Sequence, residues 1–330
     1  MARPLLTELL KAVSRSFYLT LKVLPSSVRD QIGLAYLLAR TSDTIADTEI
    51  IPAADRIEVL NQYQDRVLGR KNGLVDLSAF AGSQGDDSER ELLERAEEGV
   101  SFLGGFSGKD QEYIRDVFGI ITEGQRLDLE RFDGSSEENL VSLVTEEELD
   151  DYTYRVAGCV GEFWSRICIE HAFPKAKLDE GRFYEDAVLF GKGLQLINIL
   201  RDLPKDLSMG RCYMPEGVLD RHGLKPLDLQ DASNEARFRP YYDSLIERAE
   251  TYLRHGWRYT LSIPWTQARI RIACALPILI GAATLSLLRQ SRVLGQPPVK
   301  ISRPMVKGCL LKAILLYPLP SVWRSLHPLP

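Results

Sequence analysis

The segment QLINILRDLPKD, residues 195–206, places acidic and amide side chains at intervals of one helical turn. Asn198, Asp202 and Asp206 follow one another at steps of four, so a helix presents them on one face. Pro204 stands inside the segment, where it removes one amide donor and crowds the preceding turn. We therefore expect a helix that carries an acidic ladder and is interrupted by a kink before Asp206.

A second acidic pair lies in the segment RTSDTIAD, residues 40–47. Asp43 and Asp47 are also four residues apart, so both carboxylates project from one helical face. Leu37, Leu38 and Ile45 make the surrounding helix apolar, which argues against an acidic face that lies entirely in water. The sequence thus predicts two partly buried helices, each with a pair of carboxylates.

Apolar residues recur at helical spacing along most of the chain, as at Leu189, Leu196 and Leu200. Runs that alternate β-branched and polar residues between turn signals are scarce. The Gly-, Pro- and Ser-rich breakers between helical segments are short. These patterns predict an all-α protein with one domain, residues 1–304, followed by an apolar tail, residues 305–330.

The composition excludes several classes of function. The chain has 330 residues with 41 Lys and Arg against 46 Asp and Glu, a net charge of −5 that leaves no basic footprint for nucleic acid. The five cysteines form no C-x-x-C pair, so neither a disulfide framework nor a zinc site is expected. The first residues lack a long apolar core, and we expect no secretory signal and a cytoplasmic protein.

Two apolar segments bear on membrane contact. Residues 272–288 carry no charge, but they are short for a membrane span and contain Pro277, which favours a buried core helix. The tail from Met305 is apolar with Lys307 and Lys312 interspersed. It could lie on the cytoplasmic face of a membrane as a peripheral contact, or pack on the body of the protein.

The residue types of the two acidic segments indicate metal and diphosphate chemistry. Oxygen ligands without nearby histidine or cysteine select a hard cation such as Mg²⁺, which keeps water ligands and bridges to phosphate. Arg40 and Arg201 stand beside the acidic residues, and guanidinium groups bind free phosphate oxygens. The combination predicts ionisation of an allylic diphosphate, with the metal stabilising the departing pyrophosphate.

Five segments, in this order, resemble the squalene and phytoene synthase family of head-to-head prenyl transferases. They are SRSF (14–17), YLLARTSDTIAD (36–47), YTYRVAGCVG (152–161), QLINILRDLPKD (195–206) and GRCYMP (210–215). The resemblance implies an isoprenoid synthase fold, a helical domain around a central apolar cavity.

The resemblance also implies a role for individual residues. Asp43, Asp47, Asp202 and Asp206, with Asn198, would bind Mg²⁺, and Tyr152 would act near the departing diphosphate and the carbocation. The residues implied to bind the substrate diphosphates or to lie beside them are Ser14, Arg15, Ser16, Phe17, Tyr36, Arg40, Gln195, Arg201 and Arg211. Val156, Ala157 and Gly161 would leave smooth space for the prenyl tails, since glycine permits close approach.

The C-terminal third bears on the product. The stretches CALP (274–277) and VKISR (299–303) are similar to segments of squalene synthases, in which the second belongs to a flap near the reductant. Lys300 and Arg303 would bind the NADPH phosphates. We therefore expect an enzyme that converts farnesyl diphosphate to squalene with Mg²⁺ and NADPH. We also expect it to be a monomer.

Other outcomes stay open at this point. Ala273 replaces the aromatic residue that squalene synthases carry before CALP, so proton loss to dehydrosqualene or phytoene, or arrest at presqualene diphosphate, are alternatives. A non-catalytic assembly partner would be expected to have lost the four aspartates. A terpene cyclase that acts on one diphosphate would not be expected to carry the SRSF and YxxxVAG segments.

Overall fold

A computed structural model describes residues 8–14 and 17–326, except for the side chains of Phe17 and Leu19. Among these residues the only strands are β1 (Val141–Ser142) and β2 (Arg211–Cys212), which pair in parallel. Nearly all other regular structure is helical, which confirms the all-α prediction. The chain divides into two compact units, one formed by residues up to Arg131 with Phe163–Ala176, the other by Phe132–Glu162 with the residues from Lys177 onward.

The first unit is built around one long helix that carries the first acidic pair. Its helices are α1 (Leu10–Val13), α2 (Phe17–Val23), α3 (Ser26–Ala46), α4 (Ala53–Val67), α5 (Ser78–Gly82), α6 (Asp87–Glu94), α7 (Ala96–Leu103) and α8 (Gly108–Arg131). Pro25 precedes α3, whose side chains at Leu34, Leu38 and Ile45 are buried. The Asp86 side chain caps α6 by accepting hydrogen bonds from the Ser88 and Glu89 amides. This cap fixes the start of the helix that faces the first acidic pair.

The second unit contains the second acidic ladder. Its elements are β1, α9 (Glu146–Thr153), a π-helix (Tyr154–Gly158), the start of α10 (Cys159–His171), α11 (Glu180–Ser208), β2, α12 (Glu216–Arg221), α13 (Glu235–Ser262), α14 (Ala268–Gln290), α15 (Arg303–Leu315) and α16 (Pro320–Arg324). α11 packs along α13 and α14. Thr145 caps α9, and Glu146 accepts hydrogen bonds from Tyr241 and Arg248 on α13.

α14 contains the uncharged segment that raised the question of a membrane span. Among the described residues it is the one helix long and apolar enough to cross a membrane, with a mean hydropathy of 1.9. However, 72% of that window is buried inside the protein, and Ile270, Leu276 and Leu285 belong to the core. This is the packing expected of a core helix.

The C-terminal tail is attached to the second unit by aromatic contacts. Tyr317 stacks on Trp265 at 4.3 Å between ring centroids, and Trp323 stacks on Trp257 at 5.1 Å. The Arg271 guanidinium lies 4.8 Å from the Trp265 centroid and 5.4 Å from the Trp323 centroid. One side of α15 and α16 therefore packs on the body of the protein.

Pro204 does not end α11, although the sequence predicts an interruption of the helix at this position. The helix is continuous from Glu180 to Ser208. Proline at 204 leaves the Leu200 carbonyl without its usual amide donor, because that bond joins residues four apart. The buried Tyr242 hydroxyl, on α13, donates to this carbonyl at 2.9 Å. A tertiary hydrogen bond thus replaces the missing helical one, and the ladder keeps its register to Asp206.

Backbone contact between α11 and the segment 154–161 defines the other side of the second unit. A Cβ at Gly161 would lie 2.1 Å from the Ala187 carbonyl oxygen, and a Cβ at Gly191 would lie 2.3 Å from the Ala157 oxygen. Only glycine permits this approach. On the side where a Cβ would point, α11 fills the space beside Gly161. Gly161 is nevertheless partly accessible, and its place beside a prenyl tail stays a prediction.

We predict that Tyr242→Phe lowers the free energy of unfolding by about 1–3 kcal/mol, since it leaves the Leu200 carbonyl buried without a donor. In a Pro204→Ala background the same change should cost less, because the alanine amide can bond to Leu200. Urea unfolding of the four proteins measures both costs. Equal costs in the two backgrounds would contradict this explanation of the continuous helix.

We also predict that Gly161→Ala lowers the free energy of unfolding by about 1–3 kcal/mol or more, because the new methyl group forces two backbones apart. Gly99→Ala on α7 is the matched control, since its Cβ would meet Leu38 only at an ordinary 3.5 Å. Alanine is about 1 kcal/mol better than glycine in a helix, so this variant should be at least as stable as the parent. Similar melting temperatures for the two variants would refute the close contact.

Candidate active site

The second acidic segment forms a half-exposed stripe on α11. Gln195, Asn198, Asp202 and Asp206 are all partly accessible, whereas the residues on the other faces, such as Leu196 and Leu200, are buried. The Asn198 amide donates to the Gln195 side-chain oxygen at 3.4 Å. The predicted face therefore exists and is accessible to solvent.

Asp202 is paired with its neighbour in the chain. The Arg201 Nε donates to Asp202 Oδ1 at 2.9 Å, and a second guanidinium nitrogen donates to Oδ2 at 2.5 Å. This hydrogen bonding, together with the charges of Asp202 and Asp206, raises the pKa of Arg201 despite partial desolvation. Arg201 thus compensates part of the negative charge of the ladder and is itself a donor suited to phosphate oxygens.

The end of α11 leads directly into the GRCYMP segment. Gly210 has a φ of +79°, which turns the chain into β2. Burial, with the charge of Asp206 adding to it, raises the pKa of the Cys212 thiol to about 12. This electrostatic effect requires Asp206 to lie close to Cys212. Arg211, on the same strand, is partly exposed.

Tyr152 lies against this segment. Its ring stacks on Tyr213 with centroids 4.6 Å apart, and its hydroxyl donates to the Tyr213 hydroxyl at 3.2 Å. Tyr152 is partly exposed, as are Val156 and Ala157 on the π-helix that follows. Tyr213 was not among the residues singled out from sequence, although it occupies the aromatic position of the GRCYMP segment.

In the first unit, the first acidic pair surrounds a charged contact with α6. Arg40 makes ion pairs with Asp43 and with Glu89. Asp47 is exposed and is the C-cap of α3, where its amide bonds to the Asp43 carbonyl at 2.8 Å. Glu89 was not identified from sequence, because its partner Arg40 lies 49 residues away. The first motif thus contains a third carboxylate.

Asp43 is the carboxylate of this group whose ionised form is disfavoured by its surroundings. Desolvation raises its pKa, and the charge of Glu89 raises it further, while the Arg40 guanidinium acts in the opposite direction. Its side chain is nevertheless 42% exposed, so a cation from solvent can reach it. A bound cation would favour the ionised form that the protein disfavours.

The structure places the N-terminal segment only in part. Ser14 is buried, and its hydroxyl donates to the Leu10 carbonyl of its own helix. The Tyr36 hydroxyl donates to the Val13 carbonyl at 3.4 Å. Arg15 and Ser16, as well as the side chain of Phe17, lie outside the described residues. The diphosphate roles implied for this segment stay predictions.

Lys300 and Arg303, implied in NADPH binding, are both exposed. Residues 299–302 have no regular structure, and α15 begins at Arg303 with Ser302 as its cap. The cationic side chains are thus accessible to a phosphorylated ligand, and their role stays a prediction.

The donor set fits Mg²⁺ bound together with water and phosphate. Within residues 8–14 and 17–326, no three Asp, Glu, His or Cys side chains converge as a complete metal site. Asp43 and Asp202 each offer an accessible carboxylate beside an arginine. Mg²⁺ commonly takes one or two carboxylates and completes its octahedron with waters and substrate phosphates. The protein can therefore supply part of such a coordination shell and the cations for the phosphate.

We predict that Asp43→Asn raises the thermal stability of the metal-free protein. A folded-state pKa above the unfolded value means that this group favours folding at low pH and opposes it once the pH rises through the folded-state pKa. Asparagine removes that cost at neutral pH. The gain in melting temperature should shrink as the pH falls through the folded-state pKa and should vanish below about 4, near the unfolded pKa of aspartate. A variant that is less stable than the parent at pH 7 and equally so at pH 4 would contradict the argument.

Similar sequences and structures agree with the motifs. A sequence model described as squalene/phytoene synthase matches residues 10–304. Squalene synthase ERG9 of Saccharomyces cerevisiae is 28% identical over 307 residues, which are 93% of this chain and 66% of the yeast protein. The 15-cis-phytoene synthase of Synechocystis is 30% identical over 249 residues, 74% of this chain and 65% of that protein. The chain thus spans just under two thirds of the length of these relatives.

The fold also has a solved counterpart. TcSQS in complex with the ligand BPH1237 superposes with a TM-score of 0.76 at 22% identity, covering 97% of this chain and 89% of that one. This likeness supports the predicted isoprenoid synthase fold, and the match to the family model covers all but the ends of the chain. The chain therefore belongs to the squalene/phytoene synthase family.

Proposed function

We propose that the chain is a prenyl transferase that joins two farnesyl diphosphate molecules head to head and then forms squalene with NADPH. The observation that carries the proposal is the half-exposed stripe of Gln195, Asn198, Asp202 and Asp206 in the same unit as Tyr152. Amide, carboxylate and phenol groups in one unit can supply metal ligands and a hydrogen-bond donor for a diphosphate.

The proposed roles follow from the charges of the two motifs. Mg²⁺, when bound, would neutralise the diphosphate and favour its departure. Asp43 and Asp47 in one motif, and Asn198, Asp202 and Asp206 in the other, are the proposed ligands. Arg40, Arg201 and Arg211 hold phosphate oxygens, and Gln195 and Tyr36 contribute further polar contacts. Tyr152 donates a hydrogen bond to the departing diphosphate.

Two stages are needed for squalene. In the first, two allylic diphosphates give a cyclopropylcarbinyl diphosphate and release one diphosphate and one proton. In the second, the other diphosphate leaves and NADPH supplies a hydride to the carbocation. We propose that Lys300 and Arg303 bind the NADPH phosphates and that Val156 and Ala157 contact prenyl tails. The similarity to yeast squalene synthase over 93% of the chain, including the CALP and VKISR segments, supports reduction.

Phytoene or dehydrosqualene formation is the competing activity, supported by the 30% identity to a phytoene synthase and by Ala273. We predict that the protein with farnesyl diphosphate and Mg²⁺ forms squalene only when NADPH is present, as measured by mass analysis of the C30 product.

Asp202→Asn should reduce turnover by about 100-fold or more while the protein stays folded, because it weakens charge stabilisation of the leaving group. Dehydrosqualene in both reactions, or phytoene from the C20 diphosphate alone, would contradict the proposed product.

We further propose that the protein is a cytoplasmic monomer that contacts the membrane surface through its tail. Six large apolar side chains are exposed on or near α15 and α16: Met305, Leu311, Ile314, Leu315, Leu319 and Val322. Residues 251–330 contain eleven Lys and Arg and no acidic residue. An apolar stripe among cations favours the surface of an anionic bilayer.

This proposal predicts sedimentation with vesicles of phosphatidylglycerol but not with vesicles of phosphatidylcholine, and weaker binding at high salt. Leu315→Glu, on a side chain that is 68% exposed, should abolish the binding. Leu74→Glu is the matched control, since Leu74 is 79% exposed but lies outside the tail. Binding that survives Leu315→Glu, or no binding of the parent protein, would count against membrane contact through the tail.

A further inference from the structure

The Tyr152 phenol has an aromatic neighbour with a hydroxyl of its own. The rings of Tyr152 and Tyr213 stack with an interplanar angle of 25°, and the two hydroxyl oxygens are 3.2 Å apart. Phe132 meets the Tyr213 ring edge-on at 5.3 Å and 71°. Tyr213 is 6% exposed, whereas Tyr152 is partly accessible. The buried Tyr213 thus contacts the accessible Tyr152 through both its ring and its hydroxyl.

The backbone on either side of Tyr213 is held in place. The Leu143 amide bonds to the Cys212 carbonyl at 3.1 Å, and the Glu216 amide bonds to the Leu143 carbonyl at 2.7 Å. Behind them, a Cβ at Gly210 would lie 2.5 Å from the Ser136 nitrogen, so this turn is tightly packed. Leu143 directly follows β1, and two residues later comes Thr145, the cap of α9, which carries Tyr152. Hydrogen bonds through Leu143 therefore join the backbone around Tyr213 to the segment that begins α9, the helix of Tyr152.

We propose that Tyr213 is a positioning residue that orients the Tyr152 hydroxyl for the reaction. The stack sets the plane of the Tyr152 ring, and the hydroxyl contact sets the direction of its proton. In the structure Tyr152 donates to Tyr213. When a diphosphate oxygen accepts the Tyr152 proton, the Tyr213 hydroxyl can rotate and donate to the Tyr152 oxygen, because a hydroxyl both donates and accepts. This return bond strengthens Tyr152 as a donor, since hydrogen bonds in a chain polarise one another.

The inference rests on the role proposed for Tyr152 and makes a separate claim about its neighbour. Tyr213→Phe keeps the stacked ring and removes the hydroxyl. It should lower kcat for farnesyl diphosphate consumption by about 10- to 100-fold and change KM less than twofold, because misorientation of a catalytic group affects chemistry more than binding. In a Tyr152→Phe background, Tyr213→Phe should have no further effect, since Tyr213 then has no hydroxyl to orient.

Tyr317→Phe is the matched control. Tyr317, in the tail, is also a stacked tyrosine whose hydroxyl donates a hydrogen bond, to the Trp265 carbonyl, and loss of this hydroxyl should leave kcat unchanged. A kcat of Tyr213→Phe equal to that of the parent would overturn the proposal. The same fold-loss of kcat in the Tyr152→Phe background would also overturn it, because the effect would then not pass through Tyr152.

A readout without turnover separates this inference from the proposed function. With 3-fluorotyrosine at position 152, the ¹⁹F resonance should shift and broaden when Tyr213→Phe is introduced, and should be unaffected by Tyr317→Phe. An unchanged resonance would overturn the inference even if the enzyme forms squalene. A protein that shows the shift but does not consume farnesyl diphosphate would retain the tyrosine pair and refute the proposed function.

Discussion

The second unit depends on one contact, the approach of the α11 backbone to the segment from Tyr154 to Gly161. Glycines at 161 and 191 allow the two backbones to touch without intervening side chains. This contact fixes α11 against the π-helix, and α9 with Tyr152 continues directly into that π-helix. The acidic ladder and the phenol therefore lie in one unit on helices that are joined by direct backbone contact. The glycines at 161 and 191 thus serve the packing of this unit.

Both acidic motifs share an electrostatic design. In each, an aspartate is paired with an arginine from the same helix, Arg40 with Asp43 and Arg201 with Asp202. Such pairs lower the cost of holding carboxylates near one another before a ligand arrives. When a metal and a diphosphate bind, the metal can take the carboxylate and the phosphate can take the guanidinium. In the proposed function, the protein would exchange internal ion pairs for ligand contacts, so charge balance would be kept in both states.

The sequence sufficed for features that depend on local spacing. The all-α class and the shared face of Asn198 and Asp202 follow from helical periodicity. Features that depend on distant partners were missed. Pro204 appears as a helix breaker because its compensating donor, Tyr242, lies 38 residues away on another helix. Glu89 was not identified, and Tyr213 was placed in the GRCYMP segment without a role, because their partners Arg40 and Tyr152 lie 49 and 61 residues away in the sequence.

The central claim is that the α11 ladder and Tyr152 act on one metal-bound diphosphate. The most direct measurement is anomalous scattering from crystals of the full chain grown with Mn²⁺ and a non-hydrolysable farnesyl thiodiphosphate. The account predicts a metal peak within coordination distance of Asp202 or Asp206, about 2.0–2.3 Å for a small hard cation, with the Tyr152 hydroxyl in hydrogen-bonding contact with a diphosphate oxygen. Metal and diphosphate bound away from the ladder, with Tyr152 in contact with protein alone, would contradict it.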